Sequence, residues 1–421
     1  MNNLPAPLAS LFCVSALVLG AAVAHAQPTE SDSLLRALLH EQRRTLALED
    51  GRISGPGADF LLEEGRRAHF FMVGEEHGVA DVPEFTAALF RALRPHGYEH
   101  LAIETSPSTA ALLERHARSG RDSLASLYRR HPVAVPFYSW HEEADLLVSA
   151  LEGAGPEPVL WGVDYEFILG AALALTELER RAPTAEARAL ARRYRDRAEA
   201  GERAVARGDM SDLFFVQANP DDYAALRAAF AGDATSVSLL DVLEASAEVW
   251  RLQFAGDNYR SNLARTDLMR VAFAEAYRQS MGEREQGPKA LLKFGANHLF
   301  RGRTPVNVLD VGTMAAMLAE YDGGGTFNVM VVAGSGAEQA YFHPTNPGTK
   351  PVEIAEWATP LYEAADAERW TVIDLRPLRP LLHSSQLELE PKLERLVWSY
   401  DAFLVLTGSR AAGFDPIPTA E

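Results

Sequence analysis

The sequence predicts an α/β protein, with a mostly parallel central sheet, helices on both faces and a large all-helical insertion. Three observations predict it. Short apolar runs alternate with amphipathic helical stretches, the pattern of repeated βαβ units. Those runs, such as HFFMV, ALLKF and AFLVL, show no polar alternation, as strands covered on both faces require. Between Ala171 and Gln279 the β-branched runs give way to stretches rich in Ala, Leu, Arg and Glu.

Taken in order, the chain opens with an apolar run, Leu11–Ala24 (LFCVSALVLGAAVA), of signal-peptide length and too short to span a bilayer. It ends in Ala24-His25-Ala26, a small-residue cleavage pattern, so residues 1–26 are expected to be removed on export. The product would be periplasmic or secreted, with no stable membrane association after cleavage. His69–Val73 is the first expected strand. Pro83–Leu93 follows as a helix, with Phe85, Leu89 and Leu93 on one face. His100–Ile103 is the next strand, then helices at Ser108–Ser119, Asp122–Arg129 and Glu142–Glu152, and a strand at Pro158–Val163. Ala171–Arg207 and Ser236–Gln279 read as helical, broken by a Ser211–Asp222 loop. Strands resume at Ala290–Phe294, Phe327–Ala333, Trp370–Asp374 and Ala402–Leu406, with Tyr321–Thr326 and His343–Lys350 as Gly- and Pro-rich loops. The expected organisation is a leader at 1–26, a first half of the α/β core at 27–170, a helical insertion at 171–284 placed to act as a lid, and a second half at 285–421.

Composition narrows the function. With 58 acidic and 40 basic residues in 421, the formal charge is −18, which argues against a nucleic-acid partner. A small-molecule substrate is the expected partner. The only cysteine, Cys13, lies in the leader, so the mature chain has no disulfide, thiolate metal site or Cys nucleophile. No G-x-S-x-G elbow, P-loop or dinucleotide fingerprint occurs.

Chemistry concentrates where strands end. The first strand runs into Gly74-Glu75-Glu76-His77, the second into Glu104, the third into Asp164, and ALLKF into Gly295-Ala296-Asn297-His298. In a parallel sheet these carboxyl ends share one edge, where sites collect. Two His, several carboxylates and Asn297 could thus meet in one pocket, with Trp140 as a wall. Gly97-Tyr98-Glu99-His100 repeats the G-x-x-H spacing but precedes its strand, so His100 reads as structural. A His held by a carboxylate is a general base near neutral pH. The same set also suits a divalent metal with an open position, with His77, Glu104 and His298 as ligands. Both versions stand on the residues alone.

The stretch VGEEHGVADVPEFTAALFRALRPHGYEHLAIETSP (Val73–Pro107) resembles the opening of the erythromycin esterase-like proteins, within a wider superfamily that includes ChaN-type haem-binding proteins and the TIKI/TraB metalloproteases. Phe137–Leu147 (FYSWHEEADLL), WGVDYE, ARTDLM and the ending from Asp374 to Ala412 are similar to the esterase branch. The resemblance implies a hydrolase in which Glu75 and His77 activate water, Glu104 and His298 complete the catalytic set, and Asp164 and Arg265 line it. It departs from members with macrolide activity in having one residue, Glu76, between Glu75 and His77, a spacing closer to the ChaN type, while GANHL is similar to the TIKI/TraB motif. It therefore implies a reaction class, cleavage of an ester or amide, without a substrate. The alternatives it carries are a ChaN-like haem- or metal-binding protein without turnover, and a TIKI-like metalloprotease.

Overall fold

The structure, a computed structural model, describes residues 30–415 apart from Ala206 and Glu285. The leader and its cleavage pattern lie outside the described residues. Among the described residues no helix is long and apolar enough to cross a membrane.

The strands are β1 (Arg43–Glu49), β2 (Arg52–Ser54), β3 (Phe70–Glu75), β4 (Tyr98–Ile103), β5 (Leu160–Gly162), β6 (Lys289–Gly295), β7 (Thr326–Ala333), β8 (Glu338–Tyr341), β9 (Gly348–Pro351), β10 (Trp370–Asp374) and β11 (Ala402–Leu406). Among the described residues, nine of them form one sheet in the order β2-β1-β10-β11-β7-β3-β6-β4-β5. Every pairing from β11 to β5 is parallel, and those of β10 with β11 and β1, and of β1 with β2, are antiparallel. The strands end within a residue or two of their expected positions.

Alternate side chains of the central strands feed two separate apolar layers. Phe71 and Val73 pack with Phe85 and Leu89 of helix Asp81–Leu93 and with Leu146 and Leu147 of helix His141–Ala150. Phe70 and Met72 pack instead with Phe273 of helix Asn258–Met281 and Ala315 of helix Val311–Tyr321. With both faces covered, even polar-free runs satisfy the burial that drives the fold.

Between β5 and β6 the chain is helical, as expected, but the two long stretches are each divided. The first splits into Ala171–Arg181 and Ala185–Val205 around Pro183, which cannot donate within a helix. The second splits into Ala234–Phe254 and Asn258–Met281 at Gly256, which has φ +76°, and Asp257, whose side chain caps the next helix by accepting from Arg260 N–H. The expected Ser211–Asp222 loop contains the short helix Phe214–Gln217 and the start of helix Pro220–Phe230, which a capping box at Asn219 and Asp222 initiates. The first helices of this region form their own apolar cluster around Leu175, Phe214, Leu240 and Trp250. Helix Asn258–Met281 leaves that cluster and lays Met269, Phe273 and Tyr277 on the sheet.

Two hairpins were not expected. β1 and β2 are joined through Asp50-Gly51, both at positive φ, a turn that Asp-Gly favours. β8 and β9 pair antiparallel across part of the His343–Lys350 loop.

Asn328 of β7 is fully buried and donates through Nδ2 to the carbonyls of Leu299 (2.6 Å) and Ser399 (3.1 Å). It thereby ties the turn after β6 to the chain before β11. Asn328→Leu leaves the buried Leu299 carbonyl without this donor. It should lower unfolding stability by about 1–3 kcal/mol, measured by urea titration.

Candidate active site

Four strand ends and one helix deliver the site. β3 ends at Glu75, and the chain then turns through Glu76 and His77 to Gly78, whose φ of +91° a side chain rarely adopts. The Gly78 carbonyl accepts N–H groups from Ala340 and Ala412 at 2.8 Å each, and a Cβ here would lie 2.0 Å from the Ala340 oxygen. The backbone behind His77 is therefore fixed from two directions. β4 delivers Glu104, whose own N–H donates to the Tyr138 hydroxyl at 2.9 Å. β5 leads to Asp164. β6 ends at Gly295, followed by the 3-10 turn Ala296–Leu299 that carries His298. Helix Asn258–Met281 brings Arg265 over the same edge.

Glu104 sits at the middle of what these segments bring together. Its Oε1 accepts from Arg265 at 2.7 Å and its Oε2 from the Gly295 N–H at 2.6 Å. His77 Nε2 lies 3.5 Å from Oε2, and His298 Nε2 lies 3.4 Å from Oε1. Each imidazole is oriented at its other nitrogen by a second carboxylate: Glu75 on His77 Nδ1 at 3.0 Å, and Asp310 on His298 Nδ1 at 2.8 Å. Arg265 also forms a two-pronged pair with Asp164, at 3.0 and 2.6 Å, and lies over the Tyr165 ring. His77 stacks flat on Phe137, with ring centroids 3.9 Å apart. A Cβ on Gly295 would lie 2.8 Å from His77 Nε2, so the close approach of β6 to that ring requires glycine.

The electrostatics follow from this alternation of sign. Burial alone would lower the affinity of His77 for a proton, but Glu104 and Glu75 override it and pull the ring up to about 9. For His298, burial and Arg265 push down, yet Asp310 and Glu104 raise it to about 10. Burial opposes the charge of Glu104, and the two imidazoles outweigh that, holding the carboxyl well below its usual range. Asp164 is raised by burial, which the Arg265 partnership only offsets. Both histidines are thus charged at neutral pH, which corrects the expectation that His77 is poised as a base near pH 7.

The site opens into a cleft of 2120 Å³ walled by Phe137, Trp140, Tyr165, Phe167, Trp250 and Phe342. Trp140 is the residue before helix His141–Ala150 and lies 5.5 Å from Phe137, centroid to centroid. Asn297 is exposed on the same cleft. Glu76 also lines it, apart from the imidazoles, and burial lifts its carboxyl to about 7. His100 lies early in β4, stacks on Trp161 and meets the Pro158 carbonyl at 3.1 Å, the structural part expected of it.

The metal version of the site fares differently. Among the described residues no group of three or more His, Asp or Glu is arranged to hold a metal ion. Both Glu104 oxygens are already engaged, and Arg265 places a cation where His77, Glu104 and His298 would have to share one. The donor set does not fit a metal centre.

Sequence reasoning missed Asp310, Lys293, Glu143, Tyr138 and Phe137. Lys293 left a trace, as the one cation inside the apolar run ALLKF, and Glu143 lies in the quoted FYSWHEEADLL stretch. Asp310 reads locally as the helix cap that it also is, accepting from Val311 N–H.

No family model and no curated protein matches the chain. Solved structures do. A variant of the erythromycin esterase EreC in its open conformation aligns at 14% identity with a TM-score of 0.63, covering 90% of this chain and 100% of the other. A protein from Bacillus cereus aligns at 13% identity and TM-score 0.56, over 91% and 99% of the two chains. A succinoglycan biosynthesis protein aligns at 11% and 0.58, over 92% and 100%. The chain shares the fold of these proteins along nearly its whole length.

Because Glu104 lies between both rings, Glu104→Gln should move both imidazole titrations to lower pH, as followed by NMR of the ring signals. A shift of one ring alone would show that the two do not share this carboxylate.

Proposed function

We propose that the protein is a hydrolase that cleaves an ester or amide bond of a small-molecule substrate with a water activated by His77. The observation that carries this reading is the pair of imidazoles on either side of Glu104, each oriented by its own carboxylate, at the mouth of an aromatic cleft. The fold shared with an erythromycin esterase supports the reaction class. The leader pattern at 1–26 supports export to a periplasm or the medium.

In this mechanism the Nδ1–H of His77 is held by Glu75, which leaves Nε2 to take a proton from water. The water oxygen bonds to the carbonyl carbon, and the developing oxyanion is met by Arg265 and by the Nε2–H of His298. The bond to the leaving group breaks as His298 Nε2 gives that group its proton. After product leaves, His77 gives its extra proton to solvent in the cleft and His298 takes one from it, while the Glu104 carboxylate, within 3.5 Å of both Nε2 atoms, stabilises each ring when charged, so the site returns to its starting charge. Trp140 and Asn297 line the cleft where the substrate would lie.

The base must be neutral and the acid charged, so the rate should rise with pH through the titration of His77, at about 9, and fall beyond that of His298, at about 10. At pH 7 about 1% of His77 would be neutral. A kcat/KM profile on an activated ester checks both limbs; a flat profile between pH 7 and 9 would remove His77 as the base. His77→Ala should lose roughly 10²–10⁴-fold in kcat/KM over a panel of activated esters. Activity equal to the parent at matched folding excludes the mechanism.

A further inference from the structure

Behind the catalytic face the charged groups continue into Lys293 and Glu143, which the hydrolytic steps do not use. Lys293 is in the middle of β6, opposite Val73 of β3 and Ile103 of β4, with its side chain wholly out of solvent. Its Nζ donates to Glu75 Oε1 at 2.5 Å and to Glu143 Oε1 at 2.6 Å, and it lies 5.6 Å from the centre of the Tyr138 ring. Glu75 Oε1 is the same oxygen that meets His77 Nδ1. His77, Glu75, Lys293 and Glu143 therefore form one line of alternating sign, running from the cleft into the apolar layer between sheet and helices.

We propose that Lys293 and Glu143 are positioning residues that fix Glu75 in place and, by dividing the lysine's charge between two carboxylates, govern how firmly His77 holds its proton. This rests on the hydrolytic reading for its consequence in catalysis, but its physical content stands apart from it.

Three features argue for it. An ammonium in an apolar layer is expensive, and an aliphatic side chain here would extend the packing of Leu291, so fold stability alone does not call for Lys293. Among the described residues Glu75 and Glu143 each leave their second oxygen buried with no hydrogen-bond partner, so beyond the lysine Glu75 has only His77 to meet its charge. Glu143 is also held from outside: helix His141–Ala150 is pinned at its start by His141 N–H on the Gly413 carbonyl (2.7 Å) and by Gly413 N–H on Glu142 (2.9 Å).

The direction of each effect follows. Lys293 shares its charge between Glu75 and Glu143, so part of the Glu75 charge is left for His77. Neutralising Glu143 gives Lys293 wholly to Glu75 and weakens the hold on the His77 proton. Removing Lys293 leaves Glu75 to His77 alone and strengthens it, while Glu143, already lifted to about 7 by burial, loses the cation that holds it down and takes up a proton. The other groups facing His77 stay unchanged in both cases: Glu104 in front, Arg265 and His298 beyond Glu104, and the Tyr138 phenol behind Glu75.

The test is the NMR titration of the His77 ring in the full chain, assigned by its loss in His77→Asn. Glu143→Gln should shift it to lower pH and Lys293→Met to higher pH, each by about 0.5–1 pH unit, and the double variant, which has no lysine for Glu143 to draw on, should titrate with Lys293→Met. The rising limb of kcat/KM should move with it. Should Lys293→Met not fold, Glu143→Gln and the double variant decide. An unchanged titration in Glu143→Gln, or shifts of both single variants in one direction, overturns the proposal, even if activity is lost. Opposite shifts in a protein with no ester turnover uphold the pair while removing the hydrolytic reading.

Discussion

A carboxylate buried to within a few per cent of complete exclusion, Glu104, is the constraint from which the site follows. A lone charge there would be driven to protonate. It stays ionised because a guanidinium, a backbone N–H and two imidazoles converge on it, and they do so from β3, β6 and helix Asn258–Met281. Each of those groups is in turn partly buried and needs an anion: Asp164 for Arg265, Glu75 for His77, Asp310 for His298. The site is thus a closed network whose members justify one another's burial, and its geometry is set where parallel strands end together.

That origin explains how much was legible. The strands and their order of chemistry could be read because apolar runs without alternation and polar residues immediately after them are local signals. Glu75 ends a strand and His77, Glu104, Asp164 and His298 follow one, so the convergence of their elements followed from one assumption about a parallel sheet. Arg265 came from resemblance alone, since nothing in ARTDLM distinguishes it from a solvent-facing helical arginine. Asp310 and Glu143 are hidden for a different reason: each sits at a helix start, where an acidic residue has a sufficient local explanation. The β1–β2 hairpin was missed although Asp50-Gly51 marks it, because the flanking Arg43–Glu49 mixes charge with apolar residues and its partner Arg52–Ser54, the edge strand, has only three residues.

The charge on the two histidines was invisible in the sequence, and it changes the chemistry. A carboxylate beside a histidine suggests a base; carboxylates on both of its nitrogens make an imidazolium that yields its proton reluctantly. His77 is bracketed in this way by Glu75 and Glu104, and His298 by Asp310 and Glu104. Arg265 presses on His298, and Lys293 draws charge from Glu75, so each ring has one cation nearby that limits the effect.

The helical region between β5 and β6 is divided by this logic. Its earlier helices gather around their own core at Leu175, Phe214 and Leu240, and they meet the cleft through Trp250. Its last helix is part of the sheet's cover: Phe273 and Tyr277 pack on Phe70, while Arg265, two to three turns earlier on the same helix, closes on Glu104. A displacement of that helix would expose sheet core and strip Glu104 of its guanidinium together. Arg265 is thus held by the same packing that closes the sheet, and the preceding helix is tied to it where the Ser261 hydroxyl donates to the Val249 carbonyl.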